Sequence, residues 1–399
     1  MAMFWRGMGR AISEGYSAKA SAAMQDLHRN EIRRHPSTNP TQDGHCPPRK
    51  RDALAHASAR KRTCTERPYG AQYPRHKAKL LPMQPFKSVT YSATRSGPKL
   101  IVTGAVHGSE KCGTIAINRM IGDLDSGAIQ LVAGSVTFVP ITNPKAYLQN
   151  TRNGDRNLNR RLRPSNEPKE FEDHVANWLC PLLKQHDVLL DLHSFQAPGR
   201  AFATVGPENN NDTLQPFKFA EEELALVKRL GVDRAVDGWL TTYAIGVERR
   251  RASRPAEINS NELDPQYGVG TTEYMRSAGG WAITLECGQH ADPQAPEVGY
   301  QAIRNTLAHL GIAPAIAQPT PQSMEGLRLF DVIDKAAKED EFAKPWKSFD
   351  AIGKGELIAT RGSGEKVVAA NDVFIVFPNP NAEAGAEWFY LAETTRRFE

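Results

Sequence analysis

Short apolar runs alternate with amphipathic stretches over the middle of the chain, and this alternation predicts its elements. Leu100-Ile101-Val102-Thr103-Gly104-Ala105 is β-branched and ends in glycine, the pattern of a buried strand. Residues 110–124 follow with Ile115, Ile117, Met120, Ile121 and Leu124 at helical spacing. Ser135–Ile141 predicts a second strand, residues 169–184 a helix with Phe171, Val175, Trp178 and Leu182 on one stripe, and Asp187–Leu192 a third strand. Ala201–Val205 reads as a fourth strand, 215–230 as a helix, Trp281–Leu285 as a strand and 294–311 as a helix. Two stretches lack either period and read as loops: the Asn- and Arg-rich run from Thr142 to Pro168, and residues 246–280. Strands alternating with helices predict an α/β fold, a mainly parallel (mixed) sheet flanked by helices.

The pattern changes at both ends. Ala313–Ser323 is a Pro-, Gln- and Ala-rich linker, and beyond it Gly326–Ile333, Glu356–Thr360, Lys366–Ala369, Val373–Phe377 and Trp388–Leu391 read as strands separated by turn residues. A small C-terminal all-β domain is therefore expected over 319–399, after an α/β domain over 83–318. Residues 1–82 show neither period and hold Arg, His, Pro, Ala and Ser in place of buriable aromatics. They read as a disordered basic extension, with Met83 a plausible start of the structured chain. A transit peptide or an RNA-binding arm is the sharper reading of that stretch.

Composition narrows the function classes. No apolar run approaches the ~20 residues that span a bilayer, so no integral membrane span is expected. The 5 cysteines are scattered without a C-x-x-C, which argues against a disulfide scaffold or thiolate zinc finger and for a reducing, cytoplasmic setting. Residues 1–82 carry 16 of the 50 Lys and Arg but only 6 of the 45 Asp and Glu; the remainder has 34 against 39 and is mildly acidic. The net charge of +5 thus describes a basic tail on an acidic body, and no nucleic-acid footprint is expected on the fold itself.

Candidate chemistry gathers at the strand ends, where an α/β sheet presents ligands. His107 and Glu110 form an H-x-x-E pair directly after the first strand, and imidazole nitrogen with carboxylate oxygen is a normal zinc donor set. Glycines 104 and 108 permit the tight turn this needs; the unrelated His28-Arg29-Asn30-Glu31 has no such context. A third ligand is expected at another strand end, and His193 stands there, with Asp191 two residues before it either a partner for its ring or merely the next residue on the same strand face. Arg152, Asn159 and Arg160 lie in the irregular loop, facing an anionic substrate or simply solvent. Glu286 closes the strand Ile283-Thr284-Leu285, as a helix-start residue or a catalytic base. Nucleophile-elbow, Walker and dinucleotide-binding motifs are not found.

His107-x-x-Glu110, Arg152, Asn159-Arg160, His193 and Glu286, in this order over 180 residues, resemble the succinylglutamate desuccinylase/aspartoacylase family, whose fold is similar to that of zinc carboxypeptidases. The resemblance covers about residues 86–318, and the C-terminal β region to about 393 also resembles that family's. It implies one zinc ion per chain held by His107, Glu110 and His193. It further implies Glu286 as the base that activates water, Arg152 as the group that polarises the scissile carbonyl, and Asn159 and Arg160 as holders of a substrate carboxylate. The family's usual Asp-Leu-Asn-Arg reads here as Asn157-Leu158-Asn159-Arg160. A further substrate arginine is open among Arg249, Arg250, Arg251 and Arg276, as is a catalytic tyrosine among Tyr243, Tyr267, Tyr274 and Tyr390.

The expected function is a zinc-dependent hydrolase cleaving the amide bond of an N-acyl amino acid or related small metabolite. The alternative is a metallocarboxypeptidase-like peptidase on short or unusual peptides, and a non-catalytic binding module is a third class. The expected partner is the small-molecule substrate, with neither nucleic acid nor membrane, and a homo-oligomer is left open.

Overall fold

Lys99–Gly104 (β2), Ser135–Val139 (β3), Val188–Phe195 (β4) and Trp281–Gln289 (β7) lie side by side because their side chains are apolar on both faces, which only a sheet covered on both sides can bury. The computed structural model of the protein describes residues 85–253, 263–314 and 323–399. Its remaining elements, in chain order, are β1 (Val89–Ser92), α1 (Cys112–Asp125), α2 (Pro144–Gln149), α3 (Phe171–Leu183), β5 (Phe202–Thr204), α4 (Ala220–Val227), β6 (Arg234–Asp237), α5 (Trp239–Ser253), α6 (Thr271–Ser277) and α7 (Ala295–His309). The C-terminal strands follow: β8 (Glu325–Asp334), β9 (Glu341–Phe342), β10 (Ala351–Ile352), β11 (Leu357–Thr360), β12 (Lys366–Val368), β13 (Val373–Val376) and β14 (Glu387–Thr394). The reading of residues 1–82 lies outside the described residues.

Among the described residues, one sheet runs β1-β3-β2-β4-β7-β5-β6-β8-β14-β13-β10, and a smaller one runs β12-β11-β9. The pairs β2–β3, β2–β4, β4–β7, β5–β6 and β6–β8 are parallel, whereas β1–β3, β5–β7 and the C-terminal pairs are antiparallel. The expected mixed, mainly parallel sheet with flanking helices is present, together with a C-terminal β region. Helices α1 and α7 cover one face of the sheet, with Ile117, Met120, Ile303 and Leu307 against Leu100, Leu190 and Ile283. On the other face Val175, Leu179 and Leu183 of α3 meet Ile101 and Leu189. Each such fully buried side chain contributes about 1.5–3 kcal/mol. Trp346, Ile358, Trp388 and Phe389 form a separate cluster in the C-terminal region, while β8 joins the main sheet through its ladder with β6.

The expectation of a loop over 246–280 is corrected: the end of α5 and all of α6 fall in it. Neither helix shows an apolar stripe, because its polar residues are satisfied by distant partners. Arg249 and Arg250 of α5 bond Asp331 and Asp334 of β8. Arg276 of α6 bonds Glu223 of α4 within the core. Strand β6, only four residues long, and α2, inside the expected Thr142–Pro168 loop, were also not anticipated. No helix among the described residues is long and apolar enough to cross a membrane.

Candidate metal centre

Two neighbouring strand ends and the turn after a third build the site. Strand β2 stops at Gly104, and Ala105 follows in the left-handed region at φ 49°, which turns the chain across the sheet edge. Gly108 then passes so close to α2 that a Cβ there would lie 1.9 Å from the carbonyl carbon of Ala146. Any side chain at 108 would force the His107–Glu110 turn and α2 apart. His193, on β4, stands directly across the parallel ladder from Glu286 on β7.

The turn brings Glu110 between the two imidazoles. His107 Nδ1 lies 2.8 Å from Glu110 Oε1, and His193 Nδ1 lies 2.9 Å from Glu110 Oε2. All three residues are buried, and their candidate ligand atoms lie within 4.8 Å of one another. The opposite nitrogen of each ring is anchored by an oxygen: His107 Nε2 is 3.0 Å from Asn157 Oδ1, and His193 Nε2 is 2.8 Å from Asp191 Oδ2. Oxygen acceptors at both Nε2 atoms favour the tautomer with Nε2–H, which leaves both Nδ1 lone pairs to face a divalent cation beside the carboxylate. The donor set of two imidazoles and one carboxylate, in a buried pocket, fits zinc. Asp191 is itself locked by the Thr103 and Thr271 hydroxyls. Asn157 is a neutral acceptor, its Oδ1 also taking the Asn159 backbone N–H at 2.9 Å.

The triad opens onto a cavity of about 440 Å³ that also receives Arg152, Asn159, Arg160, Trp239, Glu286, Glu387 and Tyr390. His107, Glu110, Arg152, Asn159, Arg160, His193 and Glu286 thus line one cavity. Arg152 is half-exposed, and its Nη1 donates to Glu110 Oε1 at 3.1 Å. Glu286 Oε2 is buried without a hydrogen-bond partner. Burial, reinforced by the nearby Glu110 charge, pushes the Glu286 pKa up to about 8 against the pull of His193 and Arg152. Asn159 is braced by its Oδ1, which accepts from the Thr271 backbone N–H at 2.8 Å.

The remaining arginine candidates point elsewhere: Arg249 and Arg250 tie α5 to β8, Arg251 pairs with Glu248, and Arg276 is buried against Glu223. Of the tyrosines, Tyr390 lines the cavity and Tyr243 packs under Arg160. Glu387, Trp239 and Tyr390 carry no local motif; they enter because β14 and α5 lie beside β8.

The comparisons with known proteins agree with this geometry. The family model for the succinylglutamate desuccinylase/aspartoacylase catalytic domain matches residues 96–309. The succinylglutamate desuccinylase of Shewanella frigidimarina is 21% identical over 318 residues, spanning 74% of this chain and 83% of that one. A crystal structure of succinylglutamate desuccinylase/aspartoacylase from Rhodobacter sphaeroides superposes with a TM-score of 0.58 at 18% identity, over 78% of this chain and 90% of that chain. The product-bound ectoine utilization protein EutE of Ruegeria pomeroyi gives 0.56 at 16% identity, over 76% and 88%. With more than half of its length matched by that catalytic domain, the chain belongs to the succinylglutamate desuccinylase/aspartoacylase family.

Proposed function

We propose that the protein is a zinc-dependent deacylase that hydrolyses the amide bond of an N-acyl amino acid or a closely related metabolite. The observation that carries this reading is the convergence of His107, Glu110 and His193 in one cavity with a buried, unpartnered carboxylate, Glu286. His107, Glu110 and His193 would hold the ion. When bound, zinc supplies Lewis acidity toward water and toward a carbonyl oxygen.

The chain's own residues do the rest. Asp191 and Asn157 keep both imidazoles in the Nε2–H form, so the ligand nitrogens stay basic. Glu286 accepts a proton from the attacking water and returns it to the departing amine. Burial lifts the Glu286 carboxyl above the ordinary carboxylate range, which favours return of the proton it takes up, and its Oε2 has no competing donor. Arg152 presents its guanidinium at the cavity mouth and steadies negative charge growing on the carbonyl oxygen. Asn159 and Arg160 form part of the substrate-facing wall. The C-terminal β region narrows the cavity by contributing Phe377, Glu387 and Tyr390.

Metal analysis of the purified protein, coupled to a panel of N-succinyl and N-acetyl amino acids beside dipeptides, tests the reading. About one zinc per chain and turnover of N-acyl amino acids are expected. Activity confined to dipeptides, or a protein that neither contains nor responds to a divalent ion, would refute it.

A further inference from the structure

A second cavity, of about 640 Å³, lies beside that of the candidate metal centre and shares Gln196, Ala197 and Pro378 with it. Phe342, Trp346 and Trp388 give it aromatic walls, and Pro198 and Pro345 add further apolar surface. The proposed reaction makes no use of it. Two hydrogen-bond donors meet in its wall where the β8–β14 ladder ends. Lys335 directly follows β8, and its backbone N–H bonds the Ala386 carbonyl oxygen at 3.0 Å, two residues before Trp388. Lys335 is only 6% exposed, yet its Nζ donates to the Pro380 carbonyl oxygen alone, at 3.0 Å, and no carboxylate among the described residues pairs with it. Pro380 lines the same cavity, so the ammonium sits at its wall. Two of its three N–H donors are unused, and a buried ammonium without a counter-ion is costly. Trp388 is 0% exposed, and its Nε1–H has no partner. Trp346 in the same cavity differs: its Nε1 donates to the Ile358 carbonyl oxygen at 2.9 Å.

The other charged groups of the wall do not answer these donors. Asp340 is taken up by the Ala336 and Gly362 backbone N–H groups and by Arg361, at 2.7, 2.8 and 2.8 Å. Lys344 bonds Glu356 at 2.9 Å and lies 4.0 Å over the Trp346 ring. Lys338 and Glu341 are exposed, opposite in sign and screened by water. What is left is one buried positive charge, one buried neutral donor and aromatic walls. A carboxylate matches this set, because its single charge and two oxygens answer one ammonium and one indole N–H. A phosphate dianion brings more charge and more acceptors than the two donors satisfy. We propose that this cavity is a second ligand site, which takes a carboxylate carried on a flat apolar body such as an aromatic ring. The site does not depend on the deacylase reading.

Phenylacetate is the probe, and phenylacetamide its neutral counterpart of nearly the same shape. Calorimetry on the zinc-loaded wild type should show phenylacetate binding about tenfold more tightly, the scale of one charge-assisted hydrogen bond. Lys335→Gln keeps a donor for the Pro380 carbonyl but removes the charge, and should abolish most of that preference. A carboxylate held on zinc would be indifferent to Lys335→Gln, so the variant tells the two cavities apart. Nuclear magnetic resonance of wild type carrying isotope-labelled tryptophan gives a reading that needs no Lys335 variant, and it decides the matter if Lys335→Gln does not fold. The Trp388 indole N–H signal should move with phenylacetate at concentrations where phenylacetamide leaves it in place. An unchanged preference in folded Lys335→Gln, a Trp388 signal indifferent to phenylacetate, or tighter binding of phenyl phosphate than of phenylacetate overturns the proposal.

Discussion

His193 and Glu286 face each other across the β4–β7 ladder as direct parallel neighbours. One register position thus sets a candidate ligand beside a candidate base, with no loop between them to absorb an error. A one-residue slip of either strand would turn its side chain to the opposite face of the sheet.

Replacing Glu286 by Gln keeps the shape and removes the proton acceptor. Zinc content should stay at the wild-type level, because no ligand is lost, while kcat falls on the order of 10²–10⁴-fold. Metal analysis and turnover measured on the same sample check both halves. A Gln variant with undiminished turnover would end the assignment of Glu286 as the base.

Arg152→Ala removes the half-exposed guanidinium at the cavity mouth. The expected loss is on the order of 10²–10³ in kcat, the usual cost of one oxyanion donor. The fold should be untouched, since an exposed arginine adds little to stability. A loss confined to KM would instead mark Arg152 as a residue for ground-state binding.

Asp191 accepts from three side chains at once, the Thr103 and Thr271 hydroxyls and His193 Nε2. Asn at this position has one acceptor oxygen fewer and must leave a buried donor unpaired. Asp191→Asn should weaken zinc binding by about 10–100-fold. Competition against a chromogenic chelator reads the affinity directly, with no need for substrate. An unchanged affinity would show that the ring of His193 is held by its strand alone.

The stability of the C-terminal β region should depend on acid through Asp340. Burial works to raise its pKa, but bonds from the Gly362 and Ala336 backbone N–H groups and from Arg361 prevail, and bring it from 3.8 down to about 2. A folded value below the unfolded one means that the ionised form is favoured by the fold. The stabilisation, about 2 kcal/mol, is present above pH 4 and is lost as the pH falls from 4 towards 2. Denaturant unfolding of wild type and Asp340→Asn should show a gap near pH 7 that closes in that window. A gap of constant size down to pH 2 would contradict it.

Much of the centre could be read from local signals. His107 and Glu110 follow an apolar run and a glycine, His193 and Glu286 end apolar runs, and each run is long and β-branched enough to be a strand by itself. The departure at Asn157 was also visible, but not its consequence, a neutral oxygen on the His107 ring. Helices α5 and α6 escaped because their charged residues are buried or paired only by contact with β8 and α4, which no local period reveals.

By itself the sequence determined the alternation of strands and helices, the residue types of a candidate metal centre, and their order along the chain. These depend on side-chain chemistry and on spacing within a few residues. Tertiary structure alone decided that Glu387 and Tyr390, from the C-terminal strands, share a cavity with Arg160 more than two hundred residues earlier. The physical reason is the pairing of β8 with β6, which carries the C-terminal strands onto the main sheet and so brings Glu387 to Arg160.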